Sequence, residues 1–145
     1  MLTFQSSLTF TKGVQPEEGL RNFWGPEDGF VWSSGKWCEL SFAFDAKGVA
    51  ANALCDLILD LDVYKHGEEL KGQNLMFYFN GLRIGSLYCT KRSTVVFSFD
   101  AGLLKAEENV LTIDSPEAAS PSQFGSQDSR TLGVQLFSLQ IRPIE

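Results

Sequence analysis

The sequence is poor in residues that carry chemistry or cross-link a chain. It contains one histidine, His66, and three cysteines, Cys38, Cys55 and Cys89. An odd cysteine count without a C-x-x-C spacing argues against a disulfide framework. No close cysteine pair and a single histidine leave no zinc ligand set. We therefore expect buried free thiols in a reducing compartment, and no metal or cofactor.

Positive charge and long apolar runs are also scarce. The sequence has 12 basic and 18 acidic residues, which gives a formal net charge of −6. An acidic chain repels phosphate, so nucleic acid and anionic membranes are not expected partners. No segment has the ~18 apolar residues of a membrane span, and "MLTFQSSLTFTKG" lacks the form of a signal peptide. These features predict a cytoplasmic location without membrane insertion, although secretion within a longer parent protein stays open.

Apolar residues that alternate with polar ones dominate the rest of the chain. The length of 145 residues predicts a single domain over residues 1–145. Period-two alternation predicts strands within residues 38–44, 57–63, 74–79, 82–88, 93–99, 109–114 and 133–141. Asn80-Gly81 separates two of them and predicts a type I′ hairpin, because both central residues of that turn need a positive φ. In the last segment Val134 and Leu136 face one way and Phe137, Leu139 and Ile141 then continue the apolar set, a one-residue slip that predicts a β-bulge.

Shorter segments complete the predicted fold. "LTFQSSLTF" and "GFVW" are expected to form short strands, and residues 100–109 at most one helical turn. Eight or nine short strands separated by turn residues favour an all-β antiparallel sandwich, with a jelly roll as first choice. Residues 13–29 and 114–131 are expected to be the two long loops, where binding residues tend to lie.

Catalytic patterns are missing from the sequence. His66 lies in the polar turn "YKHGEEL" and is expected to be solvated, and no nucleophile, zinc-protease or phosphate-loop motif occurs. Acidic pairs in loops, such as Glu27-Asp28, are expected to be solvated rather than to hydrolyse glycosidic bonds. The alternating Asp56, Asp60 and Asp62 contain calcium-type ligands, but they fit a solubilising sheet face better. We therefore expect a protein that is not an enzyme.

Tryptophans and charged residues of the loops form the candidate ligand set. An aromatic floor with a few placed polar groups is the usual form of a small-ligand site. The candidates are Trp24, Glu27, Asp28, Trp32, Trp37, Asp128 and Arg130.

The strand phase assigns different surroundings to these side chains. Trp32 follows Phe30 at strand period and is expected to face the core. Trp37 is out of phase with Cys38, so its ring should lie on the other face of its strand as a possible exposed platform. Arg130 and Asp128 either bind a pair of sugar hydroxyls or clamp the two loops together through Glu27. Both alternatives place Glu27, Trp32 and Arg130 close together.

Several of these motifs together resemble a family of β-sandwich modules attached to bacterial glycosyltransferases and cell-surface polysaccharide proteins. The resemblance covers about residues 2–141 and includes a Trp-Ser-x-Gly step before an alternating strand, an Asn-Gly hairpin and an Asp-x-Arg-x-Leu-Gly step before the last strand. The matching residues are Trp24, Glu27, Trp32, Ser33, Gly35, Asn80, Gly81, Pro121, Ser122, Gly125, Asp128, Arg130, Leu132 and Gly133. The resemblance implies a jelly-roll, carbohydrate-binding-like accessory domain.

Three functions follow from these observations. The first is a non-catalytic module that recognises a bacterial surface glycan or a glycosyltransferase acceptor, with the glycosyltransferase or a parent protein as partner. The second is a protein-interaction or oligomerisation module, because Met76, Tyr78 and Tyr88 add apolar surface to the predicted sheet. The third and weakest is a glycan hydrolase.

Overall fold

The computed structural model describes residues 1–144 and consists of strands joined by turns and loops. Within these residues the strands are β1 (Leu2–Thr3), β2 (Ser7–Leu8), β3 (Gly19–Arg21), β4 (Val31–Trp32), β5 (Trp37–Phe42), β6 (Phe44–Asp45), β7 (Leu54–Val63), β8 (Gln73–Phe79), β9 (Leu82–Cys89), β10 (Ser93–Asp100), β11 (Asn109–Asp114) and β12 (Val134–Pro143). Single 3₁₀ turns lie at Ala101–Leu103 and Pro121–Phe124. No helix among residues 1–144 has the length and apolarity that crossing a bilayer requires.

The strands form two antiparallel sheets and one small parallel pair. Sheet I has the order β10-β7-β12-β2, with β4 also paired to β12. Sheet II has the order β3-β5-β11-β8-β9. The parallel pair joins β1 to β6. The seven long predicted strands are all present, which confirms the predicted all-β antiparallel jelly-roll sandwich.

The core lies between the two sheets and is rich in aromatic rings. Phe77 of β8 lies 4.7 Å from Phe97 of β10, and Phe79 of β8 lies 5.2 Å from Phe99 of β10, measured between ring centroids. These pairs join sheet II to sheet I. On β7, Leu57, Leu59 and Leu61 are fully buried, and the residues that alternate with them face outward, namely Asp56, Ile58, Asp60 and Asp62. The predicted alternation of β7 is thereby confirmed.

The turn at Asn80-Gly81 has the predicted conformation. Asn80 has φ 49° and Gly81 has φ 82°, so both central residues adopt the positive φ of a type I′ turn. The Asn80 side chain also reaches a neighbouring strand, because its Oδ1 accepts a hydrogen bond from the Val110 N–H at 2.7 Å. The turn therefore fixes the register between β8 and β9 and ties their junction to β11.

One predicted loop and the position of one side chain differ from the sequence prediction. Residues 13–29 are not one loop, because β3 lies within them and pairs with β5. The predicted bulge is present between Leu136 and Ser138. Phe137, however, does not join the inward set: Leu136 and Leu139 are fully buried, and Phe137 is the extra residue and lies half-buried on the outer face.

Candidate functional site

The part of the first long loop that follows β3, residues 22–30, meets the second long loop at one end of the sandwich. The indole Nε1–H of Trp24 donates a hydrogen bond of 2.8 Å to the carbonyl oxygen of Thr131, across 107 positions of sequence. The Trp24 backbone N–H donates to the carbonyl oxygen of Trp32 at 2.9 Å. Trp24 keeps 36% of its surface exposed. Its ring is therefore held at a fixed angle while it still faces solvent.

Arg130 precedes Thr131, the residue that accepts the Trp24 hydrogen bond, and its guanidinium lies near two carboxylates. Its guanidinium binds Asp128 through Nε–Oδ1 at 3.2 Å and Nη2–Oδ2 at 3.0 Å. Its Nη1 lies 3.9 Å from Oε2 of Glu27, at ion-pair distance from the first loop. All three side chains are one third to two fifths exposed. We name Trp24, Glu27, Asp128 and Arg130 the loop site.

The charges of the loop site stabilise one another. Hydrogen bonds from the Arg130 guanidinium and its backbone N–H lower the pKa of Asp128. The same hydrogen bond with Asp128 raises the pKa of Arg130, with a smaller contribution from the Glu27 charge. The guanidinium and the Asp128 carboxylate therefore stay ionised near neutral pH. Together with Trp24, which is bonded to the neighbouring Thr131, they place charged hydrogen-bonding groups and an exposed indole on the same pair of loops, which suits a ligand with many hydroxyl groups.

Asp28 lies outside the loop site. Its Oδ1 accepts a hydrogen bond from the Lys12 N–H at 3.0 Å, and the neighbouring Gly29 N–H donates to the carbonyl oxygen of Phe10 at 3.0 Å. These bonds attach the first long loop to the chain around residues 10–12. The structure thus gives Asp28 a holding role on that loop, through a bond that the loop-site side chains do not share.

Trp32 does not face the core, so that prediction is wrong. Its neighbours Val31 and Ser33 are fully buried, and Trp32 is half-buried on the outer face of sheet I opposite Gln135. Phe30 and Trp32 do lie on one face, with ring centroids 6.4 Å apart. The prediction that Phe30 and Trp32 share a face was therefore correct, and the assignment of that face to the core was wrong.

Trp37 lies on the outer face of sheet II, as its phase predicts. Cys38 beside it is buried, and the Arg21 guanidinium lies 5.2 Å from the Trp37 ring centroid. The ring is half-buried. Because Trp32 belongs to sheet I and Trp37 to sheet II, the two tryptophans face opposite sides of the molecule. Trp37 is therefore not part of the loop site.

An aromatic cluster on the outer face of sheet I was missed at the sequence level. Phe137 lies 5.8 Å from Phe30 between ring centroids, and the Arg92 guanidinium lies 3.6 Å above the Phe137 ring. Arg92 in turn binds both carboxylate oxygens of Asp60, at 3.0 and 2.8 Å. The bulge at Phe137 was the available signal, because a bulge re-aims a side chain.

His66 has a partner that its polar turn did not reveal. Its ring stacks on Phe124 with a centroid distance of 4.4 Å and an interplanar angle of 9°. The residue is therefore only partly exposed to solvent, and the stack attaches the turn at 64–70 to the second long loop. Nearby, burial and then the Asp128 charge raise the pKa of Tyr64.

The remaining chemical candidates are in structural surroundings. The three cysteines are free and buried, as predicted, and burial raises the thiol pKa of Cys38 well above its usual value. Asp56 accepts from Ser98 at 2.9 Å, and Asp62 binds Lys65 at 2.8 Å. Residues 1–144 contain no group of three or more acidic, histidine or cysteine side chains placed to hold a metal ion.

The predicted apolar partner surface on β8 is only partly exposed. Met76 and Tyr78 lie half-buried on the outer face of sheet II, where the Tyr78 hydroxyl lies 3.8 Å from the Met76 sulfur. Asp114 and Thr112 of β11 lie beside them. Tyr88 on β9 is 52% exposed. Polar neighbours therefore interrupt this surface.

No protein-family model and no curated protein sequence matches this chain. Solved structures do match its fold. One is a GH115 4-O-methyl-α-glucuronidase, BtGH115A, with specificity for decorated arabinogalactans. The identity is 10%, the TM-score is 0.52, and the match covers 97% of this chain and 18% of that enzyme.

Two further matches are carbohydrate-binding modules. The first is the CBM36-1 domain of a multidomain xylanase from the hindgut metagenome of Trinervitermes trinervoides, with 13% identity, a TM-score of 0.46, and coverage of 97% of this chain and 98% of that one. The second is a CBM36 module in complex with calcium and xylotriose, with 11% identity, a TM-score of 0.45, and coverage of 94% and 98%. At such identities the likeness concerns the fold.

Proposed function

We propose that this chain is a non-catalytic carbohydrate-binding module that holds a glycan at the loop site. The observation that carries this proposal is the Trp24 ring, which is exposed yet fixed by its 2.8 Å hydrogen bond to Thr131. Sugars present apolar C–H faces that stack on flat rings, and a ring fixed before binding loses little conformational entropy when a ligand arrives. The fold match to part of an enzyme that acts on decorated arabinogalactans is in keeping with this proposal.

Charged groups on the same two loops would supply the polar half of the recognition. Arg130 offers guanidinium donors, and Glu27 and Asp128 offer carboxylate acceptors around the same position. A pair of neighbouring sugar hydroxyls both donates and accepts hydrogen bonds, so it matches this mixed set. The 3.9 Å gap between Arg130 and Glu27 exceeds hydrogen-bond distance and leaves these groups free to bind a ligand hydroxyl.

A binding role fits these groups better than catalysis. Asp128 is engaged by Arg130, whose hydrogen bonds lower its pKa, so it is a poor general acid. The one histidine of the sequence is stacked on Phe124. Glycoside hydrolysis needs a protonated carboxylic acid near neutral pH, and a carboxylate beside a guanidinium is the opposite arrangement.

The identity of the glycan rests on the sequence resemblance. We propose a bacterial surface polysaccharide, or the growing acceptor of a glycosyltransferase that this chain accompanies. In that arrangement the module would raise the local concentration of the acceptor near its enzyme. The Asp-x-Arg-x-Leu-Gly step, which supplies Asp128 and Arg130, supports this finer proposal.

A titration that compares two tryptophan variants tests the proposal. Backbone amide shifts of the protein are followed while a panel of bacterial surface oligosaccharides is added, with and without calcium. Trp24→Ala should weaken binding at least about tenfold, which corresponds to ~1.4 kcal/mol. Trp37→Ala is the matched control, because that ring is half-buried on the other sheet, and it should bind like the parent protein.

Two results would contradict the loop site. Shifts that cluster around Trp37 and disappear in Trp37→Ala would move the site to sheet II. A well-folded protein that shows no shifts with any glycan would reject carbohydrate recognition as the function. Release of reducing sugar from the panel would contradict the non-catalytic part of the proposal.

A further inference from the structure

One side of the sandwich ends in two long strands without a neighbour. Among residues 1–144, β10 pairs only with β7 and β9 pairs only with β8. Each is eight residues long. On the opposite side the sheets end in short strands, because β2 and β4 have two residues each and β3 has three. The open hydrogen-bonding edges are therefore concentrated on one side.

β10 lacks the features that usually protect an edge strand. Its sequence, "STVVFSFD", contains no proline and no lysine. It pairs with β7 over all eight residues without a register shift, so no bulge twists it away. A groove of about 860 Å³ runs along its Asp100 end between Leu54 and Leu82, and both of these side chains are at least half exposed. A long and regular edge with an exposed valine at its centre is a template for another strand.

The outer face of β10 is complementary to itself. Val96 lies at its centre, is 50% exposed and pairs with the half-buried Ile58 of β7. The exposed Thr94 and Ser98 flank Val96 at equal distances, so the pattern of hydroxyl, valine, hydroxyl is the same in both directions along the strand. An antiparallel pair about Val96 places Thr94 opposite Ser98, whereas a parallel pair through the same edge would turn one sheet over and bring its inner face to the outside.

We propose that two copies of this chain pair through β10 in an antiparallel arrangement about a twofold axis at Val96. In this register Val96 faces Val96 of the second copy, and Thr94 faces Ser98. The inner and outer faces of sheet I stay continuous across the axis, because an even register keeps each side chain on its own face. Sheet I then runs through both copies, and the open backbone groups of β10 are satisfied.

The arrangement has a consequence for ligand binding that is independent of which glycan is bound. The loop site is built on β4, β12 and their preceding loops, on the other side of β12 from β10. The pairing therefore leaves both loop sites open. Two sites on one particle strengthen binding to a repeating polymer through effective concentration.

Solution mass tests the proposal first. Light scattering of the eluting full-length protein at about 100 µM should give twice the chain mass of 16.1 kDa. Val96→Lys places two ammonium groups at the axis and should raise the dimer dissociation constant at least about tenfold. Val14→Lys is the matched control, because Val14 is 56% exposed and lies in the turn with Thr11. It should remain dimeric, and circular dichroism should show native strand content in both variants.

Cysteine cross-linking tests the register. Opposed Cβ atoms of an antiparallel pair lie roughly 4.5–5.5 Å apart, so Val96→Cys should form a covalent dimer under mild oxidation. Ser98→Cys should not, since the two copies of residue 98 lie about 13 Å apart in this register. A parent protein that is a monomer, a dimer that Val96→Lys leaves intact, or equal cross-linking of both cysteine variants overturns the proposal. A monomer would assign the edge to a strand of a different protein.

Discussion

Two asparagine side chains hold together the end of the sandwich that is remote from the loop site. Asn109 is fully buried; its Nδ2 donates to the carbonyl oxygens of Phe42 and Lys105, and its Oδ1 accepts from the Lys105 N–H. Asn80 donates to the same Oδ1 at 3.0 Å. Every polar atom of the Asn109 amide is thereby satisfied inside the fold, which makes its partners dependent on it.

Asn109→Ala should therefore be strongly destabilising. It leaves two carbonyl groups and one N–H without their partner, and we expect a loss of about 2–3 kcal/mol in the free energy of unfolding, measured by urea denaturation. Asn74→Ala is the control, since the Asn74 side chain is exposed and bonds only Glu117. Equal losses of unfolding free energy in the two variants would show that the buried Asn109 network stabilises the fold no more than an exposed side-chain hydrogen bond does.

The acid behaviour of the second long loop depends on Asp128. Its folded-state pKa lies below its ordinary value of 3.8, chiefly because of the Arg130 hydrogen bonds. A depressed carboxylate pKa contributes stability that is present above the unfolded-state pKa of about 3.9 and is lost as the pH falls through the folded-state value. Carboxyl NMR titration of Arg130→Gln should show the Asp128 pKa rising toward 3.8. An unchanged value would mean that other groups hold the pKa down.

Trp32 shows what the sequence could and could not predict for single residues. Its shared face with Phe30 followed from strand period, because side chains alternate along any strand. Which face was inward depended on the partner strand, since Val31 faces the buried Leu136 across the pair. A two-residue strand contains no pattern long enough to reveal that choice. The pairing of Trp24 with Thr131 was unpredictable for a similar reason, because 107 residues separate them.

At the scale of the strands, β9 and β10 depend on one glycine. A Cβ atom added to Gly85 would overlap the ring of Phe97, which packs between β9 and Phe77. Gly85→Ala should cost roughly 1–3 kcal/mol in the free energy of unfolding, measured by denaturation. Ser86→Ala on the same strand should cost little. Phe97→Leu added to Gly85→Ala should recover part of the loss, and failure to do so would locate the strain elsewhere.

The predictable elements were those defined by neighbours in sequence. The hairpin at Asn80-Gly81 and the bulge after Leu136 both follow from local turn chemistry and local phase. β3 was missed because its three residues sit among glycine and proline and become a strand only against β5. The parallel pair of β1 with β6 was likewise set by a distant partner. Long-range pairing, rather than local propensity, decided these short elements.

At the scale of the whole molecule, the cysteines report how the sandwich opens. Cys38 and Cys55 lie on inner strands of different sheets, and Cys89 ends the edge strand β9. All three are free and buried, so a thiol reagent should label none of them quickly in the native state. Mass spectrometry over time should show Cys89 labelled first, because edges open by local fluctuation, and the other two together on global unfolding. Simultaneous labelling of all three would indicate that the edge opens only with the core.

The free thiols also predict the response to reductants. Because no disulfide constrains the unfolded chain, the midpoint of thermal unfolding should be the same with and without a reducing agent. Scanning calorimetry under both conditions measures this directly. A lower midpoint in the reductant would contradict the free state of the cysteines.

Residues 33–36 connect β4 of sheet I to β5 of sheet II. Because this connection is short, Trp32 and Trp37 lie on opposite outer faces of the sandwich. Trp32 lies on the outer face of sheet I beside Phe30, and Trp37 lies on the outer face of sheet II beneath the Arg21 guanidinium. Their surroundings differ in polarity and charge, so their fluorescence should differ in colour and in quenching by iodide. Each broad face of the molecule therefore has its own tryptophan fluorophore. A change in the emission of one of the two indicates which face a bound molecule covers.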